Sequence, residues 1–105
     1  MTDPQYHVVA ATSEIAEGGQ LFVELDGEEI LLCRHDGKYF AVSYYCSHAA
    51  FPLEGGPMDD GCISCPYHGA TFDLATGRAE APPAWEDIKT YAVRVEDSTV
   101  AISVD

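Results

Sequence analysis

Basic residues are scarce in this 105-residue chain: five Lys and Arg stand against 18 Asp and Glu, for a formal net charge of -13. Such a surface repels a phosphate backbone or an anionic headgroup, which argues against nucleic acid and against a membrane surface as partners. A basic patch on another protein would instead be attracted and oriented over a Debye length. Acidity also serves simply to keep a chain soluble, and composition leaves both readings open. Long apolar runs are missing too. The hydrophobic stretches last only a few residues, far short of the roughly 20 needed to cross a bilayer, so no membrane span is expected. The opening MTDPQYHVVA lacks a basic start, a long apolar middle and a small-residue cleavage site, so it does not read as a secretory signal, and a cytoplasmic location is expected.

Further absences narrow the function. No Gly-rich dinucleotide fingerprint follows a strand, so a nicotinamide or flavin is not expected to bind by that means. Nothing repeats at a fixed period and there is no low-complexity tract. The length fits one domain over residues 1–105 with a single core, and a 47% hydrophobic content is enough to fold it.

What is present has a hydrophobic period of two more often than 3.6, with turn signals every several residues, and reads as all-β. Strands are expected at Tyr6 to Ala10, Gln20 to Leu25, Glu29 to Arg34 and Tyr39 to Tyr44. Asp26-Gly27 and Asp36-Gly37 separate the last three as two tight hairpins, because glycine accepts the positive φ such turns demand. A short segment at Cys62 to Cys65, a hairpin through Thr76-Gly77, and strands within Thr90 to Glu96 and Thr99 to Val104 follow. The stretch EAPPAWED from Glu80 reads as an ordered loop without strand character. Together these give one small antiparallel sandwich or barrel.

Cysteine and histidine are few, four of each, yet residues 44–69 hold three of the cysteines and two of the histidines. Cys46 and His48, then Cys65 and His68, form the pattern C-x-H-x16-C-x2-H. Gly55, Gly56 and Pro57 bend the first loop while Pro66 and Gly69 constrain the second, so each loop presents one thiolate and one imidazole. That donor set suits zinc or an iron–sulfur centre and not calcium or magnesium, which prefer oxygen. Zinc fingers usually pair like ligands, C-x2-4-C followed by H-x3-5-H, whereas here each loop supplies one of each type. Two iron atoms explain the mixed pairs directly, with both cysteines on one and both histidines on the other, which is the Rieske arrangement. Two ordinary buried cysteines and two satisfied histidines are the bland alternative, and they leave the Gly and Pro beside both pairs unexplained. Cys33, in the apolar run ILLC, reads as a small core residue. Cys62 is expected to share a side with Ser64, opposite Ile63, and neither cysteine is assigned to the metal.

With this motif the chain resembles the Rieske-type ferredoxins, from the hairpin near Gly27 through CPYHGATFDLATG to the final strands. The resemblance implies a Rieske fold with a two-loop cluster-binding subdomain at about residues 45–85. It implies one [2Fe-2S] cluster held by Cys46, His48, Cys65 and His68, with the histidines bound through Nδ1 and their Nε2 atoms at the surface. AEAPPAWED matches the proline-bearing third loop that covers the cluster in relatives, where Pro82 and Pro83 would shield its sulfides. Trp85 is either a packing residue or a partner contact. Rieske proteins of respiratory complexes carry an extra disulfide between the loops and two hydroxyl donors at the cluster. Here Ala50 or Phe51 and Tyr67 occupy the disulfide positions, and Ala70 and Phe72 the hydroxyl positions, which implies the low-potential, soluble branch.

Members of that branch deliver electrons to oxygenases, and some are fused to one. A mononuclear iron site would need two further histidines and a carboxylate, but only His7 and His35 remain, and both read as solvated surface side chains. The resemblance therefore implies an electron-transfer protein and not an enzyme, the ferredoxin component of an aromatic-ring-hydroxylating dioxygenase system in aromatic hydrocarbon catabolism. Its expected partners are an NAD(P)H-dependent flavoprotein ferredoxin reductase and a terminal oxygenase. A redox component serving another oxygenase class, such as a cytochrome P450, and a zinc-stabilised binding module stay open as alternatives.

Overall fold

The computed structural model describes residues 5–47, 51–67, 69–81 and 86–104. Strands β1 (His7–Ala11), β2 (Gln20–Leu25), β3 (Glu28–His35) and β4 (Lys38–Ser43) come first. Four short strands follow, β5 (Met58–Asp59), β6 (Cys62–Ser64), β7 (Thr71–Asp73) and β8 (Ala79–Ala81), and β9 (Thr90–Glu96) and β10 (Thr99–Ser103) close the chain. One six-stranded sheet runs β1-β10-β9-β4-β3-β2, a smaller one runs β5-β6-β7-β8, and each pairing is antiparallel. The all-β expectation is met.

The expected turns form where Asp-Gly pairs stand. Asp26 and Gly27 have φ of 51° and 79°, and Asp36 and Gly37 have 53° and 74°. With Leu25 opposite Glu28 and His35 opposite Lys38, both are two-residue hairpins with two left-handed central residues, the twist that suits flanking strands. Asp60-Gly61 repeats the device between β5 and β6, at 51° and 76°, a hairpin the sequence reading did not single out. Asp97-Ser98 does so between β9 and β10 without a glycine, at 49° and 68°.

Strand β3 decides the layering. Ile30, Leu31, Leu32 and Cys33 are all fully buried, because consecutive side chains point to opposite faces and both faces are covered. Ile30 and Leu32 join Ala10, Ile15, Val23, Ala41, Val100 and Ile102 in a core within the large sheet. Leu31 and Cys33 join Val42, Leu53, Ile63, Phe72 and Leu74 in a second core beneath the small sheet. Each large aliphatic or aromatic side chain so buried contributes about 1.5–3 kcal/mol.

One expectation is corrected. Glu80 and Ala81 are not loop but the end of β8, where Thr71 pairs with Ala81 and Phe72 with Ala79. The proline at 82 explains this, since a residue before proline is pushed towards extended backbone. Residues 82–85 themselves lie outside the described residues.

Ser98 is the costly turn position: a non-glycine residue in the left-handed region loses about 1–2 kcal/mol. Ser98→Gly should stabilise the protein by about 0.5–1 kcal/mol, after subtracting the roughly 0.4–1 kcal/mol that glycine adds to unfolded-chain entropy. A urea midpoint that stays or falls would show that the turn is unstrained.

Candidate metal centre

The first Cys-His loop follows the end of β4. Cys46 N–H donates to the Phe51 carbonyl at 2.9 Å, Leu53 N–H to that of Tyr44 at 2.7 Å, and Tyr45 and Pro52 form an isolated antiparallel bridge. These bonds pinch residues 44–46 against 51–53. The second loop repeats the plan after β6. Cys65 N–H donates to the Ala70 carbonyl at 2.7 Å and Gly69 N–H to that of Cys65 at 3.0 Å, with Gly69 at a φ of 77° that a side chain would strain. In both loops a cysteine sits at the base, where the backbone is fixed.

The two loops touch at two levels. At the base, a Cβ added to Gly56 would collide with the carbonyl oxygen of Ser64, the residue before Cys65, and Ser64 N–H donates to the Pro57 carbonyl at 3.0 Å. Nearer solvent, the rings of Phe51 and Tyr67 stack with centroids 4.8 Å apart and planes at 27°, while 40% and 58% exposed. The positions that the resemblance aligned with a disulfide thus hold an aromatic stack, and no disulfide joins the four cysteines.

Cys46 and Cys65 are 4% and 2% exposed and lie in one apolar cluster with Leu53, Ile63, Ala70 and Phe72. Two such thiols at loop bases fit a soft, thiolate-binding centre such as an iron–sulfide cluster. His48 and His68, the imidazole half of the expected ligand set, lie outside the described residues, as do Pro82, Pro83 and Trp85. Ala70 and Phe72 are fully buried and offer no side-chain donor to this cluster.

The other cysteines stand apart. Burial pushes the Cys33 thiol up to about 12, and its Sγ donates to the Leu31 carbonyl at 3.9 Å, so it stays protonated in the core as expected. Cys62 is half-buried on the side of Ser64, opposite the buried Ile63. Burial first, then the charges of Asp73, Glu80, Asp60 and Asp59, hold its thiol above the usual range. A thiol that resists ionisation is a poor ligand.

His7 is exposed as expected, but His35 is not a solvated surface histidine. Its side chain is 12% exposed and its Nε2 accepts from Gly61 N–H at 3.1 Å, tying the end of β3 to the β5–β6 turn. Glu17, His35 and Asp36 are also the place, among the described residues, where metal-binding atoms converge within 4.8 Å. Glu17 already accepts from the backbone N–H groups of Asp36 and Gly37 at 2.7 and 2.8 Å, so the group closes a turn. Sequence reading also missed Gln20 and Tyr44 as supports of the first loop. Tyr44 Oη donates to Glu54 at 2.8 Å, and Gln20 reaches Gly55 and Gly56 across 35 and 36 residues, a separation with no local signal.

Fold and site together define an all-β domain that presents buried thiols on paired loops, a metal-cluster module. Residues 5–92 match the family described as the Rieske [2Fe-2S] domain, and the chain belongs to that family. Its cofactor is therefore a Rieske-type [2Fe-2S] cluster, and the zinc alternative falls away. The ferredoxin component of a naphthalene 1,2-dioxygenase system from Pseudomonas aeruginosa is 37% identical over 94 residues, covering 90% of each chain. The ferredoxin subunit of 3-phenylpropionate/cinnamic acid dioxygenase from Photorhabdus laumondii is 38% identical over 97 residues, covering 91% of each. Among solved structures, the ferredoxin of carbazole 1,9a-dioxygenase from Nocardioides aromaticivorans superposes with a TM-score of 0.88 at 28% identity, covering 93% of this chain and 96% of that one.

If the Phe51–Tyr67 stack braces the loops, a double-mutant cycle of Phe51→Ala and Tyr67→Ala should return a coupling of about 0.5–1 kcal/mol, the lower part of the range for aromatic pairs because both rings are half in water. Cluster loss under chelator, followed by visible absorbance, should quicken in either single variant. Strict additivity would show that the rings touch without supporting each other.

Proposed function

We propose that the protein is a one-electron carrier, the ferredoxin component of an aromatic-ring-hydroxylating dioxygenase system. It stands between an NAD(P)H-dependent flavoprotein reductase and a terminal oxygenase, in a cytoplasmic setting. The observation that carries this reading is the pairing of two buried thiols on adjoining loops with relatives named as ferredoxin components along about nine-tenths of both chains. Among the described residues no helix is long and apolar enough to cross a membrane.

Cys46 and Cys65 would hold one iron through their thiolates, and His48 and His68 the other through their imidazoles. When bound, the cluster supplies a one-electron couple. The chain does the rest. Leu53, Ile63 and Phe72 exclude water from the thiolate side. Ala70 and Phe72 withhold hydroxyl donors that would ease added negative charge, which favours a low potential. Phe51 and Tyr67, partly exposed on the two loops, offer a partner an apolar contact there. No side chain needs to bind a substrate.

Reduction with dithionite should give a Rieske-type electron paramagnetic resonance signal, its average g below that of all-cysteine clusters because imidazole donates less charge than thiolate. The midpoint should lie near the low end of the roughly -150 to +300 mV Rieske range. Silence, an all-cysteine signal, or a midpoint near the top of that range would refute the ligand set or the potential respectively.

The partner reading has its own test. A net charge of -13 should steer encounter with a basic patch on the flavoprotein. Raising ionic strength from about 0.01 M to 0.15 M shortens the Debye length from about 30 Å to about 8 Å, so the bimolecular reduction constant in stopped flow should fall. A flat salt response defeats the steering. Turnover with a cytochrome P450 and none with a ring-hydroxylating oxygenase would move the protein to the other oxygenase class.

A further inference from the structure

We propose that Gln20 is a positioning residue for the cluster, a clamp that sets the first ligand loop against the second. It stands on β2 directly opposite Cys33, and in an antiparallel pair opposite residues share a face. That places its side chain on the face of the large sheet that carries the small one. Both ends of its amide are used on adjacent residues of the loop: Oε1 accepts from Gly55 N–H at 2.7 Å and Nε2 donates to the Gly56 carbonyl at 2.9 Å. Donor and acceptor together fix the dipeptide in position and in orientation, which a single bond does not do.

What makes the clamp matter is where Gly56 sits. Its Cα presses on the Ser64 carbonyl closely enough to exclude any side chain, and Ser64 precedes Cys65. Leu53, whose carbonyl accepts from Gly56 N–H at 2.9 Å, is bonded in turn to Tyr44, two residues before Cys46. Gln20 therefore holds the point through which the backbone segments of Cys46 and Cys65 meet, and it does so from the rigid sheet. A cleft of about 460 Å³ lined by Gln20, His35 and residues 54–58 runs along this seam. Water thus has access to both amide bonds, and it would replace a lost clamp with partners that hold no orientation.

The proposal rests on the reading that Cys46 and Cys65 ligate the cluster, and the experiment separates the two. Hydrogen exchange by mass spectrometry on the cluster-loaded protein reads the loop. Midpoint potential and paramagnetic line shape read the centre. Gln20→Met, similar in length but without polar ends, should speed exchange in the peptide covering 51–57 by roughly tenfold while β3 and β4 stay protected. It should also shift the midpoint and broaden the signal. Gln20→Glu keeps the acceptor for Gly55 and loses the donor to Gly56, so it should fall between, and it remains informative if the Met variant does not fold. Glu24→Gln, on the same strand with an exposed side chain, should change nothing. Faster exchange with an unmoved potential and line shape would overturn the proposal, since Gln20 would then fasten the loop without positioning the centre. Unchanged loop exchange in both Gln20 variants overturns it as well. A wild-type protein without the Rieske signal overturns the ligand reading, and with it this one, whatever the exchange shows.

Discussion

Burial of β3 on both faces is the constraint from which the half that carries the Cys46 and Cys65 loops takes its position. Strands of two or three residues, as in the small sheet, are too short to hold themselves together in water. Leu31, Cys33 and Val42 give them an apolar platform, and Leu53, Ile63, Phe72 and Leu74 come down on it. On the reverse face Ile30, Leu32 and Ala41 anchor the same strands in the other core. A shift of one residue in the pairing of β3 would exchange these two sets and ruin both cores at once, so the register is strongly specified. The loops bearing Cys46 and Cys65 inherit their rigidity from that platform.

Polar and backbone contacts then do what a covalent brace would otherwise do. Gly56 against Ser64 brings the loop bases together, and only glycine permits so close an approach. Gln20, His35 and Tyr44 fasten the same region to the large sheet or to its own base. The Phe51–Tyr67 stack acts at the outer end, where solvent weakens it. Packing thus loosens from the buried thiols of Cys46 and Cys65 to the half-exposed rings of Phe51 and Tyr67.

How much of this was legible in the sequence follows from the range of each interaction. The long strands and the Asp26-Gly27 and Asp36-Gly37 turns depend on residues within a few positions of one another, and their bounds were readable to within one residue. The pairs C-x-H and C-x2-H are local as well, so the motif is readable without the fold, and the structure adds that Cys46 and Cys65 are buried in one cluster. The Asp60-Gly61 hairpin carries the same turn signal but joins strands of two and three residues, too short to show alternation. Glu80 was misplaced because prolines at 82 and 83 dominate that stretch, although their effect on the preceding residue favours a strand end. His35 and Gln20 escaped because their partners lie 26, 35 and 36 residues away. Nothing local distinguishes a histidine that accepts from a distant N–H from one that faces water.

Acidity has a structural share that composition alone conceals. Glu14, Glu17, Asp73 and Asp87 accept from backbone N–H groups at strand ends and turns, and Glu28, Glu29 and Glu54 accept from tyrosine hydroxyls. A chain this poor in Lys and Arg closes its turns with carboxylates bonded to the backbone, and such bonds favour the ionised form. Backbone donation from Gly37 and Asp36 holds Glu17 below the usual carboxylate range, and the bonds from Lys89 and Tyr91 do the same for Glu28. The charges of Glu17 and Glu28 therefore persist further into acid than those of ordinary surface carboxylates. The surface is thus acidic partly for the sake of its own turns. At Glu14, Glu17, Asp73 and Asp87 the charge is held in place by the backbone and not carried on a free side chain.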